Sequence, residues 1–244
     1  MIASLPMYQR PELDQAHDDF WQLIASKLGF DFPLSKEGHE TDLWLNPELL
    51  LSQTCGMPYR LDLHDKVTLI GTPDYGIKGC PPGYYRSAVV IRHNDPRRVK
   101  SEFKNSLFAF NGKNSQSGYA AAFFDCQKDG FFFENTVCSG SHLNSARMVA
   151  SGNADIACID PVSLSYMEEF DNFYNELQIL NWTDPTPGLP YISANGADQE
   201  KIFNAVSSAT SELPGQTPDL LRLKGITYIP KEIYLAVPNP QAIY

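Results

Sequence analysis

Apolar positions along the chain recur with two periods. Leu13, Ala16, Phe20, Leu23, Ile24 and Leu28 keep the three-to-four spacing of one helical face, with Pro11 suited to the first turn and Gly29 to the stop. Residues 2–5 read as a short buried strand ahead of that helix. Asn46-Pro47 carries a cap-and-first-turn signal, which predicts a helix through 49–53 that stops near Gly56. Residues 67–72 read as a strand, a Gly/Pro-rich stretch follows over 71–83, and 84–92 is β-rich up to the turn His93-Asn94-Asp95-Pro96.

From there one theme repeats: short apolar strand, polar turn, helix. Residues 107–110 give a strand, 111–118 a turn and 119–124 a helix. Residues 136–138 give a strand, Ser139-Gly140-Ser141 a turn, and 142–150 a helix ended by Gly152. Residues 156–159 are a strand, after which Asp160-Pro161 opens a helix through Met167. A strand at 177–182 leads into the Pro-rich run 183–190. Helices near 198–209 and 218–223 and a strand at 226–229 complete the pattern.

Strands alternating with helices predict an α/β protein whose ligands sit at the carboxyl ends of strands. The alternation has two centres, separated near Tyr85, and residues 81–87 and 183–190 read as connectors. Two such crossings predict a discontinuous first lobe, 1–84 with 186–244, and a continuous second lobe, 85–185, with a cleft between them.

Composition narrows the partners. With 43% apolar residues among 244, the chain can fill a core. Lys+Arg number 19 against 29 Asp+Glu, a formal charge of −10, which repels phosphate backbones and argues against nucleic acid. No run approaches the ~18 apolar residues of a membrane span, so the chain reads as soluble and not membrane-spanning.

The five cysteines, Cys55, Cys80, Cys126, Cys138 and Cys158, form no C-x-x-C pair and no zinc spacing. Reduced buried thiols fit them. So do disulfides, with Cys55–Cys80 and Cys126–Cys138 the candidates. The N-terminus lacks the basic start, apolar stretch and cleavage site of an export signal. That predicts either cytoplasmic residence or a sequence that begins near a mature terminus.

The most informative stretch is Asn114-Ser115-Gln116-Ser117-Gly118. A strand feeding a helix through Ser-x-Ser-Gly offers hydroxyls and unpaired first-turn N–H groups, and the helix dipole adds about half a positive charge. Such a turn holds an oxyanion without Lys or Arg, although Ser115 or Ser117 could equally be a plain cap. His142 opens the next helix near the same edge. Asp160 ends a strand, either as a helix N-cap or facing a ligand ammonium or hydroxyl. Tyr8 and Thr54, each just past an early strand or helix, are further linings.

Taken in order, residues 49–59 (LLLSQTCGMPY), 85–95 (YRSAVVIRHND), 108–118 (FAFNGKNSQSG), 139–160 (SGSHLNSARMVASGNADIACID) and 183–191 (TDPTPGLPY) resemble the substrate-binding component of ABC-type phosphate/phosphonate importers, the PhnD-like family. The resemblance implies the type 2 periplasmic-binding-protein fold, with a small oxyanion (phosphonate, phosphate or phosphite) gripped between two lobes. It implies a periplasmic location and delivery of the ligand to an ABC transporter permease; no cofactor and a monomeric state are expected alongside. Carried over by motif, Ser115, Gln116, Ser117 and Gly118 would hold the ligand oxygens, and His142 would donate to them. Asp160 would face a substrate amine, with Tyr8, Thr54 and Tyr85 as first-lobe or hinge contacts. Gln116 stands where a small hydroxyl residue is expected.

Two other classes compete. A cytoplasmic enzyme of cofactor biosynthesis on the same fold would need His142 paired with Cys138 or Cys55, or Ser117 with His142 and Asp160. No G-x-S-x-G, H-E-x-x-H or G-x-G-x-x-G motif supports it. A ligand-sensing module is the third.

Overall fold

The structure, a computed structural model, describes residues 1–36, 38 and 40–240. Its strands in chain order are β1 (Ile2–Ser4), β2 (Leu49–Gln53), β3 (Val67–Asp74), β4 (Tyr84–Tyr85), β5 (Ala88–Arg92) and β6 (Leu107–Phe110). Then come β7 (Asn135–Cys138), β8 (Ile156–Ile159), β9 (Leu177–Trp182), β10 (Thr186–Pro187), β11 (Tyr191–Ala194) and β12 (Gly225–Thr227). The chain divides into two compact units, 1–84 with 187–237, and 85–186 with the described residues from Pro238 on. The sequence reading carries the first lobe through to 244, whereas the described residues from Pro238 group with the second unit.

In the first unit the sheet runs β1-β2-β11-β3-β12. β1 and β2 are parallel, and β11 and β12 lie antiparallel to their neighbours. The helix Asp14–Leu28 sets Ala16, Phe20, Trp21 and Ile24 against Ala3, Leu51 and Ile70. Gly29, at φ 82, ends it in the left-handed conformation a helix stop requires. Helix Gln199–Glu212 adds Ile202, Val206 and Ala209 to the same cluster. Leu49, Leu69 and Ile192 point to the other face, where they meet Trp44, Tyr59 and Tyr234.

Residues 49–53 form β2, not the expected helix. The Asn46 signal is real but local, since its Oδ1 accepts the Glu48 N–H at 2.8 Å and the chain then extends. A five-residue segment lying between β1 and β11 gains ladder bonds on both sides and buries both faces. That outweighs the few tenths of a kcal/mol by which propensity distinguishes the states. The helical signal survives only in the short turn Gly56–Pro58 and its continuation Tyr59–Leu63. β11, a central strand, and the helix Lys231–Leu235 were not anticipated.

The second unit has the sheet β7-β6-β8-β5-β9. Its side chains alternate between two covered faces: Ala88, Val90, Ala109, Ala157 and Ile159 on one, Val89, Ile91, Phe108, Phe110, Ile156 and Cys158 on the other. The second face is aromatic, with Phe108 stacked on Phe133 at 4.6 Å between centroids. Asp125 accepts from Lys100 Nζ at 2.6 Å and from Asn181 Nδ2 at 2.9 Å, tying β9 to helix Ala121–Gln127.

The chain passes between units at 84/85 and returns at 186/187, where β4 and β10 form their own two-stranded sheet. Beside the return, the Gly188 N–H donates to Gly83 O at 2.8 Å. A Cβ on Gly188 would come within 2.7 Å of that carbonyl oxygen, so only glycine permits the approach. Neither candidate disulfide, Cys55–Cys80 nor Cys126–Cys138, is formed. No helix among the described residues is long and apolar enough to cross a membrane.

Candidate functional site

β7, β6 and β8 run parallel and end at one edge of the second sheet. Each hands the chain to a helical start: Gln116 after β6, His142 after β7 and Pro161 after β8. β5 is antiparallel, with Ala88 opposite Ile159, so the residues just before β5 reach the same edge.

The helical segment after β6 begins at Gln116, three residues earlier than expected, as a wide turn Gln116–Ala120 continuing into Ala121–Gln127. Ser115 sets that start: its backbone is extended and its Oγ accepts the Gly118 N–H at 3.0 Å. Ser115, Gln116 and Ser117 are all buried. Ser117 Oγ lies 3.5 Å from Ser115 Oγ and 2.8 Å from His142 Nε2. Gly118 has no room for a side chain, because a Cβ would lie 2.0 Å from Asn111 Oδ1 and 3.1 Å from His142 Cε1. The serine turn and the start of helix His142–Ser151 are thus packed backbone against imidazole.

Burial pulls the His142 pKa down to about 4, with the Cys158 backbone beside it pulling the other way. The ring is therefore neutral at ordinary pH, able to accept the Ser117 hydroxyl proton or to donate to its oxygen. An imidazole in the unfolded chain titrates near 6.5, so the unfolded chain takes the proton first. His142 therefore adds stability above about pH 6.5 that is lost as pH falls toward about 4. The slope is at most about 1.4 kcal/mol per pH unit. In His142→Gln, urea unfolding should show a smaller drop in stability between pH 7 and pH 5 than in the wild type. An identical drop would contradict this account of the ring.

Asp160 is a helix cap: its Oδ1 accepts the N–H groups of Val162 at 2.8 Å and Ser163 at 3.0 Å. It does not orient His142, whose ring lies beside the Cys158 backbone and whose Nδ1 is sealed from solvent. Ser117, His142 and Asp160 therefore make no triad. Cys138 does not pair with His142 either; its Sγ points to Asn111 O at 3.8 Å. Among the described residues no group of three His, Cys, Asp or Glu side chains could hold a metal ion.

The first unit has its own cluster past the ends of β1, β2 and β3. Tyr8 meets Tyr75 edge to face, 5.3 Å between centroids. The Tyr75 hydroxyl accepts from Gln53 Nε2 at 3.2 Å. Thr54 is fully buried, and its N–H donates to Pro190 O at 3.0 Å. Tyr85, also buried, is the first residue of the second unit. Tyr75 and Asn111 were missed from the sequence; each immediately follows a strand, which was the available signal.

The family model described as ABC transporter, phosphonate, periplasmic substrate-binding protein matches residues 52–227. The PhnD1 protein of Prochlorococcus marinus, solved with methylphosphonate, is 17% identical with a TM-score of 0.73, covering 96% of this chain and 94% of that one. A binding component of an ABC phosphonate transporter from Pseudomonas aeruginosa is 13% identical, TM-score 0.74, covering 96% and 82%. A Xanthomonas citri protein bound to chloride is 12% identical, TM-score 0.72, covering 97% and 96%. These likenesses show the fold, that of two-lobed type 2 periplasmic binding proteins. None of the curated proteins matches the chain.

Proposed function

The chain belongs to the phosphonate family of periplasmic substrate-binding proteins of ABC transporters, and on that premise we propose that it captures a small phosphorus oxyanion for a membrane permease. The observation that carries the proposal is the part-buried Ser117–His142 contact of 2.8 Å beside the Ser115–Gly118 cap. These groups, with the helix-start amides, are neutral donors already held by their neighbours. Fixed dipoles of that kind stabilise an anion without the reorganisation that water would need. A local field of this sort also works on a protein whose formal charge is −10.

In this reading the anion site lies on the second unit, 85–186. Tyr8, Thr54 and Tyr85 are the proposed contacts from the first unit and the hinge. Micromolar capture needs about −8 kcal/mol. Charge-assisted hydrogen bonds contribute about 1.5–3 kcal/mol each, so four or five donors suffice after ordering costs.

A thermal-shift panel tests the proposal. Methylphosphonate, phosphite and phosphate are compared with sulfate and malate, the last because a structural relative from Rhodopseudomonas palustris binds it. At least one phosphorus oxyanion should raise the melting temperature, since ligand at 100 times its Kd adds about 2.7 kcal/mol. A shift with malate alone, or with none of the five, would refute the reading.

A further inference from the structure

The oxyanion site leaves one charged side chain at the same sheet edge unexplained. Arg86 lies two residues before Ala88, which pairs with Ile159 on one side and Trp182 on the other. That register brings Arg86 to the end of the sheet where β8 gives way to Asp160 and where β9 finishes. Its guanidinium carbon sits 4.9 Å from the centroid of the Trp182 ring. Its Nε is buried and has no hydrogen-bond partner among the described residues.

Among those residues Arg86 also has no carboxylate partner. This is not for want of carboxylates, which outnumber Lys and Arg by 29 to 19. Arg97 and Arg147 of the same unit have such partners, Asp95 with Asp155 and Asp171 respectively, whereas Arg92 and Arg98, like Arg86, have none among the described residues; what sets Arg86 apart is its buried, unmet Nε. A buried N–H donor left unmet is costly, and a guanidinium stacked on indole keeps its edge donors in a fixed plane. Such a group matches a carboxylate, whose two oxygens accept in the same plane.

We propose that Arg86 reads a second acidic group on the ligand, so that the preferred class is phosphonates that also carry a carboxylate. The inference rests on the oxyanion reading above and deepens it. It also replaces the expectation that Asp160 selects an amine. One Asp160 oxygen already holds two amides of its helix, and a guanidinium at the same edge repels an ammonium ligand.

The test is calorimetry on the full chain with methylphosphonate, phosphonoacetate and 2-aminoethylphosphonate, for wild type, Arg86→Gln and Arg86→Lys, with circular dichroism as the control for folding. The wild type should prefer phosphonoacetate over methylphosphonate by about tenfold or more, the value of one charge-assisted pair. In Arg86→Gln that ratio should fall close to one, most of the loss being on the phosphonoacetate side, and Arg86→Lys should recover part of it. The proposal is overturned if the wild type binds the aminoethyl compound tightest, or if Arg86→Gln leaves the ratio unchanged. Methylphosphonate binding without any phosphonoacetate preference would sink this inference alone. Failure of all three ligands would remove the oxyanion reading with it.

Discussion

Replacing Ser117 with Ala should weaken methylphosphonate binding by about 10- to 100-fold, the worth of one hydrogen bond to a charged group. The loss has two sources. The hydroxyl is removed from the turn that would face the anion, and His142 Nε2 loses the partner that lies 2.8 Å away. Ser117 is only 4% exposed, so water cannot freely take the place of its hydroxyl. The backbone should be unchanged, because the cap of this helix is Ser115, whose Oγ accepts the Gly118 N–H. Calorimetry reads the effect, and Ser117→Thr, which retains the hydroxyl, should bind more tightly than the Ala variant. Equal affinity in wild type and Ser117→Ala would remove the serine turn from the site.

The largest effect on stability is expected at Phe108. It is 1% exposed, stacked on Phe133 at 4.6 Å and edge-on to Phe132 at 5.9 Å. It sits on β6, the strand that leads directly into Asn111 and the serine turn. Phe108→Ala removes buried apolar surface and leaves a cavity among side chains that cannot close over it, which costs about 3–5 kcal/mol. Urea denaturation should show a lower midpoint with little change in slope, and Phe108→Leu should recover part of the loss. A loss below about 1 kcal/mol would mean that the aromatic face is far looser than its ring contacts indicate.

Much of the second unit was legible in the sequence because its signals are local. The strands at 107–110, 156–159 and 177–182 are short apolar runs bounded by turn residues, and they occur at those positions. Gly152, at φ 80, stops helix His142–Ser151 as a C-terminal glycine should. The error at 49–53 arose where local and long-range signals disagree. LLLSQ has no period that separates strand from helix, and only its pairing with β1 and β11 decides. β11 is a strand of four residues directly after a proline-rich run, too short to show a pattern of its own.

The candidate site divides along the same line. Ser115, Ser117, Gly118 and His142 sit in or beside turns that the sequence announces, and the fold brings them together. Asp160 was open between capping and ligand contact, and its Oδ1 is seen capping. Arg86 was invisible because its significance depends on cross-strand register, Ala88 against Ile159 and Trp182, which no spacing along the chain reports.

An amide NMR titration of the isotopically labelled protein with methylphosphonate addresses the central claim most directly. The account predicts that the backbone signals of Gln116, Ser117 and Gly118 and the ring nitrogens of His142 move together, saturably, with the largest shifts in the molecule. Shifts that spare residues 115–118 and 142 while others saturate would place the ligand elsewhere and contradict it.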